Sequence, residues 1–318
     1  MGVSALRENI SRKIFGNFRG VKFPQAILLA GPSGSGKESI GKYLAGSILC
    51  EGDSPPCESC PSCTMYRRDS HPSFIDISPE GGKVIKAERI RNLKKELRLK
   101  EFYGNRRTIL IQRTETLTKS GANSLLKILE EPPKNSHFIL TASSPGKIPP
   151  TVRSRCIHVN VPPFNQDELQ HIGAEEFGKT SEIEVARAAK LSCGNLDLFR
   201  HLLSGKGIRI PSLLGAILDK DGKRLTGILS TFRDNEDFRL GMIVLKRILL
   251  DLILLSKGEN KCIIIDEIRE GKVDPISLFP RKLEESFHIL SSLESLPVQV
   301  NRPLVCQSVL LSLFNQEV

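Results

Sequence analysis

Ala26–Ala30 is an unbroken apolar run, the pattern of a strand buried on both faces. It stops at Gly31, and helical spacing resumes near Lys37 and runs to about Leu49. Four more short apolar segments follow, at Phe74–Ile77, Thr108–Gln112, His137–Ala142 and Ile157–Val161. Two helical patterns lie between them. Lys86–Lys100 carries Ile90, Leu93 and Leu97 on one face, and Lys119–Glu131 is stopped by Pro132-Pro133. Ser4–Phe18 shows helical spacing through Leu6, Ile10, Ile14 and Phe18. Strands alternating with helices predict an α/β fold with a parallel sheet covered on both faces. Beyond Pro162-Pro163 the β signal fades. Gln166–Phe177, Glu182–Leu191 and Leu196–Leu203 form a small helical group, and a glycine-containing stretch, Ser204–Ile210, follows. Pro211–Val318 is mostly helical, with apolar faces in Ile243–Leu255, Leu283–Leu293 and Leu304–Phe314. No internal repeat or low-complexity tract interrupts this order.

The break after the first strand is chemically specific. Gly31-Pro-Ser-Gly34-Ser-Gly36-Lys37 matches G-x-x-x-x-G-K, a loop whose backbone N–H groups cradle phosphates at a helix N-terminus. The glycines permit positive φ and close backbone approach, and Lys37 supplies a point charge. A Gly/Ser-rich turn can mimic the pattern, but the flanking strand and helix favour a true P-loop. Its last position departs: Glu38 stands where the motif wants a hydroxyl for Mg²⁺, and Ser39 lies one residue further on.

Composition then narrows the function classes. The chain has 318 residues, room for two or three domains, with 39% hydrophobic and 26% charged residues. Trp is absent and aromatics are 5%, which argues against stacking sites of the carbohydrate type. A net charge of +10 favours an anionic partner. The opening residues carry no export signal, and Leu240–Leu255 holds Lys246, Arg247 and Asp251, too many charges for a membrane span. A reducing, cytoplasmic compartment is therefore expected, where clustered cysteines indicate metal sooner than disulfides. Cys57-x₂-Cys60-x₂-Cys63, with Cys50 seven residues upstream, offers four thiolates for one structural Zn²⁺. Cys156, Cys193, Cys262 and Cys306 are isolated and read as core residues.

Three motifs in order resemble one family. Ala122-Asn123-Ser-Leu125-Leu126-Lys127-Ile-Leu129-Glu130-Glu131-Pro132-Pro133 is close to the A-N-A-L-L-K-T-L-E-E-P-P block of bacterial clamp-loader ATPases. Pro149-Pro-Thr151-Val-Arg-Ser154-Arg155-Cys156 resembles their P-x-T-x-x-S-R-C block, and the cysteine insertion after the P-loop helix is the third. The resemblance covers roughly Phe23–Cys156. It implies an AAA+ module over 1–163 with the cysteine insertion at 50–63, a helical lid over 164–207, and an all-α collar domain for oligomerisation over 208–318.

Within that family the resemblance points to a delta-prime-like stator rather than a motor subunit. The motor acids D-E-A-D fall on Gln112-Arg113-Thr114-Glu115, so the Mg²⁺ carboxylate and the water-orienting carboxylate are both missing. The lid motif G-S-L-R-D reads Gly194-Asn-Leu-Asp197-Leu, and the Thr pair after the fourth strand falls on Ala142-Ser143. With Glu38, these losses imply a chain without ATPase of its own. They leave open whether Gly31, Gly34, Gly36 and Lys37 still bind ATP.

What the resemblance implies instead is a contribution in trans. Arg155, with Ser154 beside it, would be an arginine finger entering a neighbouring motor subunit's site. The implied partners are the motor and delta subunits, with the sliding clamp and primed DNA reached through the complex. Lys86–Arg113 holds ten Lys/Arg against three Asp/Glu. Arg91, Lys94, Lys95 and Arg98 are candidates for phosphate contacts, against the plainer reading of a solvated helix face. The alternatives carried forward are an ATP-hydrolysing gamma/tau-like motor and a small-molecule P-loop kinase. The kinase reading leaves the cysteine module and Ser154-Arg155-Cys156 unexplained.

Overall fold

The computed structural model describes residues 3–16, 23–79, 84–99, 103–178, 180–204, 210–219, 221–229, 235–258, 280–292 and 302–312. Phe18, Lys100, Cys262, Leu293 and Phe314 lie outside them, as does the side chain of Arg98.

Five parallel strands, β1 (Ala26–Ala30), β2 (Phe74–Ile77), β3 (Arg107–Ile111), β4 (Ser136–Ala142) and β5 (Ile157–Asn160), form one sheet in the order β2-β3-β4-β1-β5. The P-loop strand β1 sits between β4 and β5, with Ile27 opposite both Ile139 and Ile157. Side chains alternate between the faces, as a period of two requires. Ile27, Leu29, Leu110 and Ile139 pack with Ile40, Leu44 and Ile48 of α2 (Lys37–Leu49) and with Ile14 of α1 (Val3–Gly16). Leu28, Ile109, Ile111, Phe138 and Leu140 face the other way. There they meet Ile90, Leu93 and Leu97 of α4 (Ala87–Leu99), Leu125 and Ile128 of α5 (Lys119–Glu130), and Val152 of α6 (Pro150–Arg153). The P-loop α/β class expected from the pattern is the fold observed.

The differences in detail have physical reasons. β3 begins at Arg107, one residue earlier than the apolar run, because the Arg107 guanidinium is buried and donates to the Leu97 carbonyl at 2.9 Å. Within the cysteine stretch, Pro61 is the first residue of a seven-residue helix, α3 (Pro61–Arg67), where a missing N–H costs nothing. Cys60 caps it through a sulfur that accepts from the Cys63 N–H.

The described residues divide into two compact units, Met1–Gly178 with Gly194–Leu196, and Lys179–Cys193 with Asp197–Val318. The first also contains α7 (Gln166–Glu176), opened by a capping box between Asn165 and Glu168. The second is helical: α8 (Glu182–Leu191), α9 (Leu196–Leu203), α10 (Ile210–Leu218), α11 (Gly222–Leu229), α12 (Asn235–Ser256), α13 (Pro280–Ser292) and α14 (Arg302–Ser312). Its core is built on Leu213, Ile217, Leu225, Leu245, Leu249, Leu252, Leu290 and Leu310. Asp251, fully buried in α12, is paired with Arg247 one turn earlier at 3.3 Å, which offsets the cost of burying its charge. No described helix is long and apolar enough to cross a membrane.

Candidate functional site

The P-loop leaves β1 at Gly31, whose N–H donates to Ala142 O at 3.1 Å. A Cβ at Gly31 would stand 2.1 Å from the Val161 carbonyl oxygen, so this turn accepts glycine alone. Gly34 and Gly36 hold φ of +72° and +79°, the left-handed region that glycine occupies without strain. Lys37 is nearly fully buried, and its ammonium donates to Pro32 O at 2.8 Å. The Gly34 carbonyl accepts from Leu196 N at 3.0 Å, and a Cβ at Gly34 would lie 2.2 Å from Asn195 Oδ1. The turn Gly194–Leu196 therefore lies directly on the loop, a clasp that no local pattern announces.

At the C-terminal end of β3 the amide of Gln112 donates to both carboxylate oxygens of Asp76, at 2.8 and 2.9 Å. Asp76 sits on the neighbouring strand β2, opposite Leu110 and so two register positions back, and its role was not visible in the sequence. Arg113 adopts φ +51° and donates its N–H to Thr141 Oγ1 at 3.0 Å. Glu115 turns back to accept from Ser143 N at 3.0 Å, tying the strand end to the loop after β4. This end of the sheet is cross-braced by neutral amide, hydroxyl and backbone donors. Neither position 112 nor 113 presents a carboxylate to a metal or a water.

Arg155 follows α6, with its own N–H donating to Val152 O at 3.2 Å. Its guanidinium donates through Nη1 to Thr151 O at 2.9 Å and through Nη2 to Glu130 Oε1 at 2.8 Å. Side-chain exposures of 38% and 42% leave this pair open to solvent or a partner. Ser154 donates its hydroxyl to Thr151 O, and Cys156 bonds Val152 O, so both flanking residues fasten the turn. In the sequence Glu130 is one residue of the Ala122–Pro133 block; its position against Arg155 depends on packing between α5 and α6.

Cys50, Cys57, Cys60 and Cys63 bring their four sulfurs within 4.8 Å of one another, a group that can hold a metal ion. The donor set fits: the sulfurs of Cys50, Cys57 and Cys60 accept N–H bonds from Gly52, Cys57, Cys60 and Cys63, which orient them. The Cys60 N–H, with the N–H and hydroxyl of Ser59, pulls the Cys57 thiol down to about 6, whereas burial pushes the Cys50 and Cys63 thiols up. Tyr66 of α3 packs over Gly46 and donates to Lys42 O at 2.8 Å, fixing the module to α2.

A second brace is the buried His71. Its Nδ1 accepts from Ser73 N at 3.1 Å, so the proton sits on Nε2 and faces Ser62 Oγ at 2.8 Å, while Ser62 donates to Leu49 O. Burial holds His71 below its ordinary value, with the Glu51 carboxylate pulling weakly the other way. The unfolded chain thus binds this proton more readily than the native one. The stabilisation is complete above about pH 6.5 and is lost as pH falls through the lowered native value. His71→Asn is expected to flatten the decline in melting temperature between pH 7.5 and pH 5 relative to wild type. Parallel declines would remove His71 as the cause.

The basic stretch proves less uniform than its charge count. Arg91 and Lys95 are exposed and Lys94 half-buried on α4, opposite Ile90, Leu93 and Leu97. Arg107 is internal, and Arg89 is paired with Glu96 at 3.2 Å. Cys156 is half-buried against the sheet core, Cys306 is buried in the helical core, and Cys193 is exposed, contrary to its expected core position.

A family profile described as DNA polymerase III, delta subunit, matches residues 7–165. DNA polymerase III subunit delta' of Haemophilus influenzae is 35% identical over 169 residues, 52% of this chain and 51% of that protein. The delta' subunit of Yersinia pestis is 31% identical over 318 residues, 95% of this chain and 92% of its own length. DNA polymerase III subunit tau of Bacillus subtilis is 31% identical over 201 residues, 63% of this chain and 34% of that protein. The match thus spans about half of the Haemophilus relative and nearly all of the Yersinia one.

Proposed function

The chain belongs to the DNA polymerase III delta' family, and from that premise we propose that it is the non-hydrolysing stator of a clamp-loader complex. It helps load the sliding clamp on primed DNA during replication, in a ring with gamma/tau-like motor subunits and a delta subunit. Arg155 supplies an arginine finger to ATP held by an adjacent motor subunit. The division into an AAA+ module (1–163), a lid (164–207) and an oligomerising collar (208–318) belongs to the same reading. So does Zn²⁺ as the metal of Cys50, Cys57, Cys60 and Cys63, because four thiolates with no open position suit a structural zinc. Arg91, Lys94, Lys95 and Arg98 are assigned to nonspecific phosphate contacts with the duplex, and the site of action is cytoplasmic.

The observation that carries this reading is at the end of β3. The position of the Mg²⁺ carboxylate is a glutamine amide bonded to Asp76, and the position of the water-orienting acid is Arg113. The motor reading draws on the intact Gly31–Lys37 sequence and on the similarity to a tau subunit. It needs the two acids that are missing.

Purified protein separates the two. The isolated chain is expected to hydrolyse no ATP above background, and Lys37→Ala is expected to change turnover by a reconstituted loader less than about twofold, since its own nucleotide loop takes no part in turnover. Robust Mg²⁺-dependent turnover by the chain alone would establish the motor.

A further inference from the structure

We infer that Glu130 is the positioning residue for Arg155. The inference deepens the proposed role of Arg155 and rests on it. Helix α5 ends at Glu130 because Pro132 and Pro133 cannot continue it, which sets that carboxylate on the last turn. The negative end of the α5 dipole adds to the carboxylate's attraction for a cation. On the other side, Val152 is buried among Leu125, Leu129 and Ile148, so the backbone of α6 and of Arg155 is set by the core. The two motif blocks, 25 positions apart at this pair, meet in one bond, Arg155 Nη2 to Glu130 Oε1 at 2.8 Å. With Nη1 on Thr151 O, the guanidinium is held at two points and its plane is determined.

A guanidinium has five N–H donors, and these two anchors use two of them. The other three have no partner among the described residues. Phosphoryl oxygens can therefore bond the fork while Glu130 still holds it, so its orientation is set before the neighbour's nucleotide arrives. Such preorganisation raises the rate of the chemical step without changing nucleotide binding, which the neighbour's own loop performs.

The test is a reconstituted loader assayed for DNA-stimulated ATP turnover with wild type, Glu130→Ala, Glu130→Gln, Arg155→Ala and the double variant Glu130→Ala/Arg155→Ala. For an exposed pair, Glu130→Ala is expected to lower kcat about three- to fivefold with KM unchanged. Glu130→Gln keeps an acceptor for Nη2 and should retain most of the rate. In the Arg155→Ala background, Glu130→Ala should add nothing. Normal turnover by Glu130→Ala beside a collapsed Arg155→Ala would overturn the positioning role and leave the finger standing. A rise in kcat, or a further loss of about three- to fivefold when Glu130→Ala is added to Arg155→Ala, would also overturn it, making Glu130 a restraint or a merely structural residue. A neutral Arg155→Ala would remove the finger itself, and the inference with it.

Discussion

Arg155→Ala is expected to slow hydrolysis at the neighbouring site that the proposed finger would complete, by roughly a thousandfold or more at that one site. Measured over a whole ring, DNA- and clamp-stimulated turnover should fall by the share of sites it serves. Clamp loading should fall further if the cycle needs that site. Folding should be untouched. The Arg155–Glu130 bond is a partly exposed ion pair, worth about 0.2–1 kcal/mol to stability, and the turn beneath it is fastened by backbone, Ser154 and Cys156 bonds that the substitution leaves in place. Arg155→Lys should rescue poorly, since an ammonium cannot hold Thr151 O and Glu130 together and still present a planar fork. Lys37→Ala in the same complex is the control. If Lys37→Ala stops loading while Arg155→Ala does not, the chain is a motor.

Cys60→Ala is expected to release bound zinc, from about one per chain to none, and to unfold the insertion. Cys60 has two structural tasks: it is one of the four sulfurs, and it caps α3 by accepting from Cys63 N at 3.4 Å. Metal binding and local folding are one event at such a site, with apparent binding energies of about 10–16 kcal/mol in small zinc modules. The sheet should survive. Its core of Ile27, Leu28, Leu29, Ile109, Phe138 and Ile139 is built by the strands and the helices that cover them, with Tyr66 of the module packed only against its edge. Metal analysis with limited proteolysis would check this: cleavage confined to the insertion and a metal content near zero are expected. A variant that keeps its metal would show that the other three cysteines hold it without Cys60.

Much of this was legible from neighbouring residues alone. The apolar runs Ala26–Ala30 and His137–Ala142, the glycine spacing of Gly31–Lys37, the cysteine intervals and the prolines that stop α5 each act over one or two turns of chain. A helix or strand repeats at a fixed period, so such signals survive in the order of residues. The missing acids at 112 and 113 are equally plain, because an absent carboxylate needs no geometry to be noticed. What replaced them was not legible. That Gln112 would bond Asp76 depends on which strand lies beside β3 and in which register, and these partners stand 36 residues apart. Arg107 looks in sequence like one more surface cation, but the strand start carries it into the core beside Leu97. Leu196 reaches Gly34, and Glu130 reaches Arg155, only because packed helices bring distant backbone together. The order of residues determined the elements, the glycine loop, the cysteine cluster and the absence of carboxylates at 112 and 113. Tertiary packing decided which polar groups pair, since a side chain finds its partner by position in the folded core and not by distance along the chain.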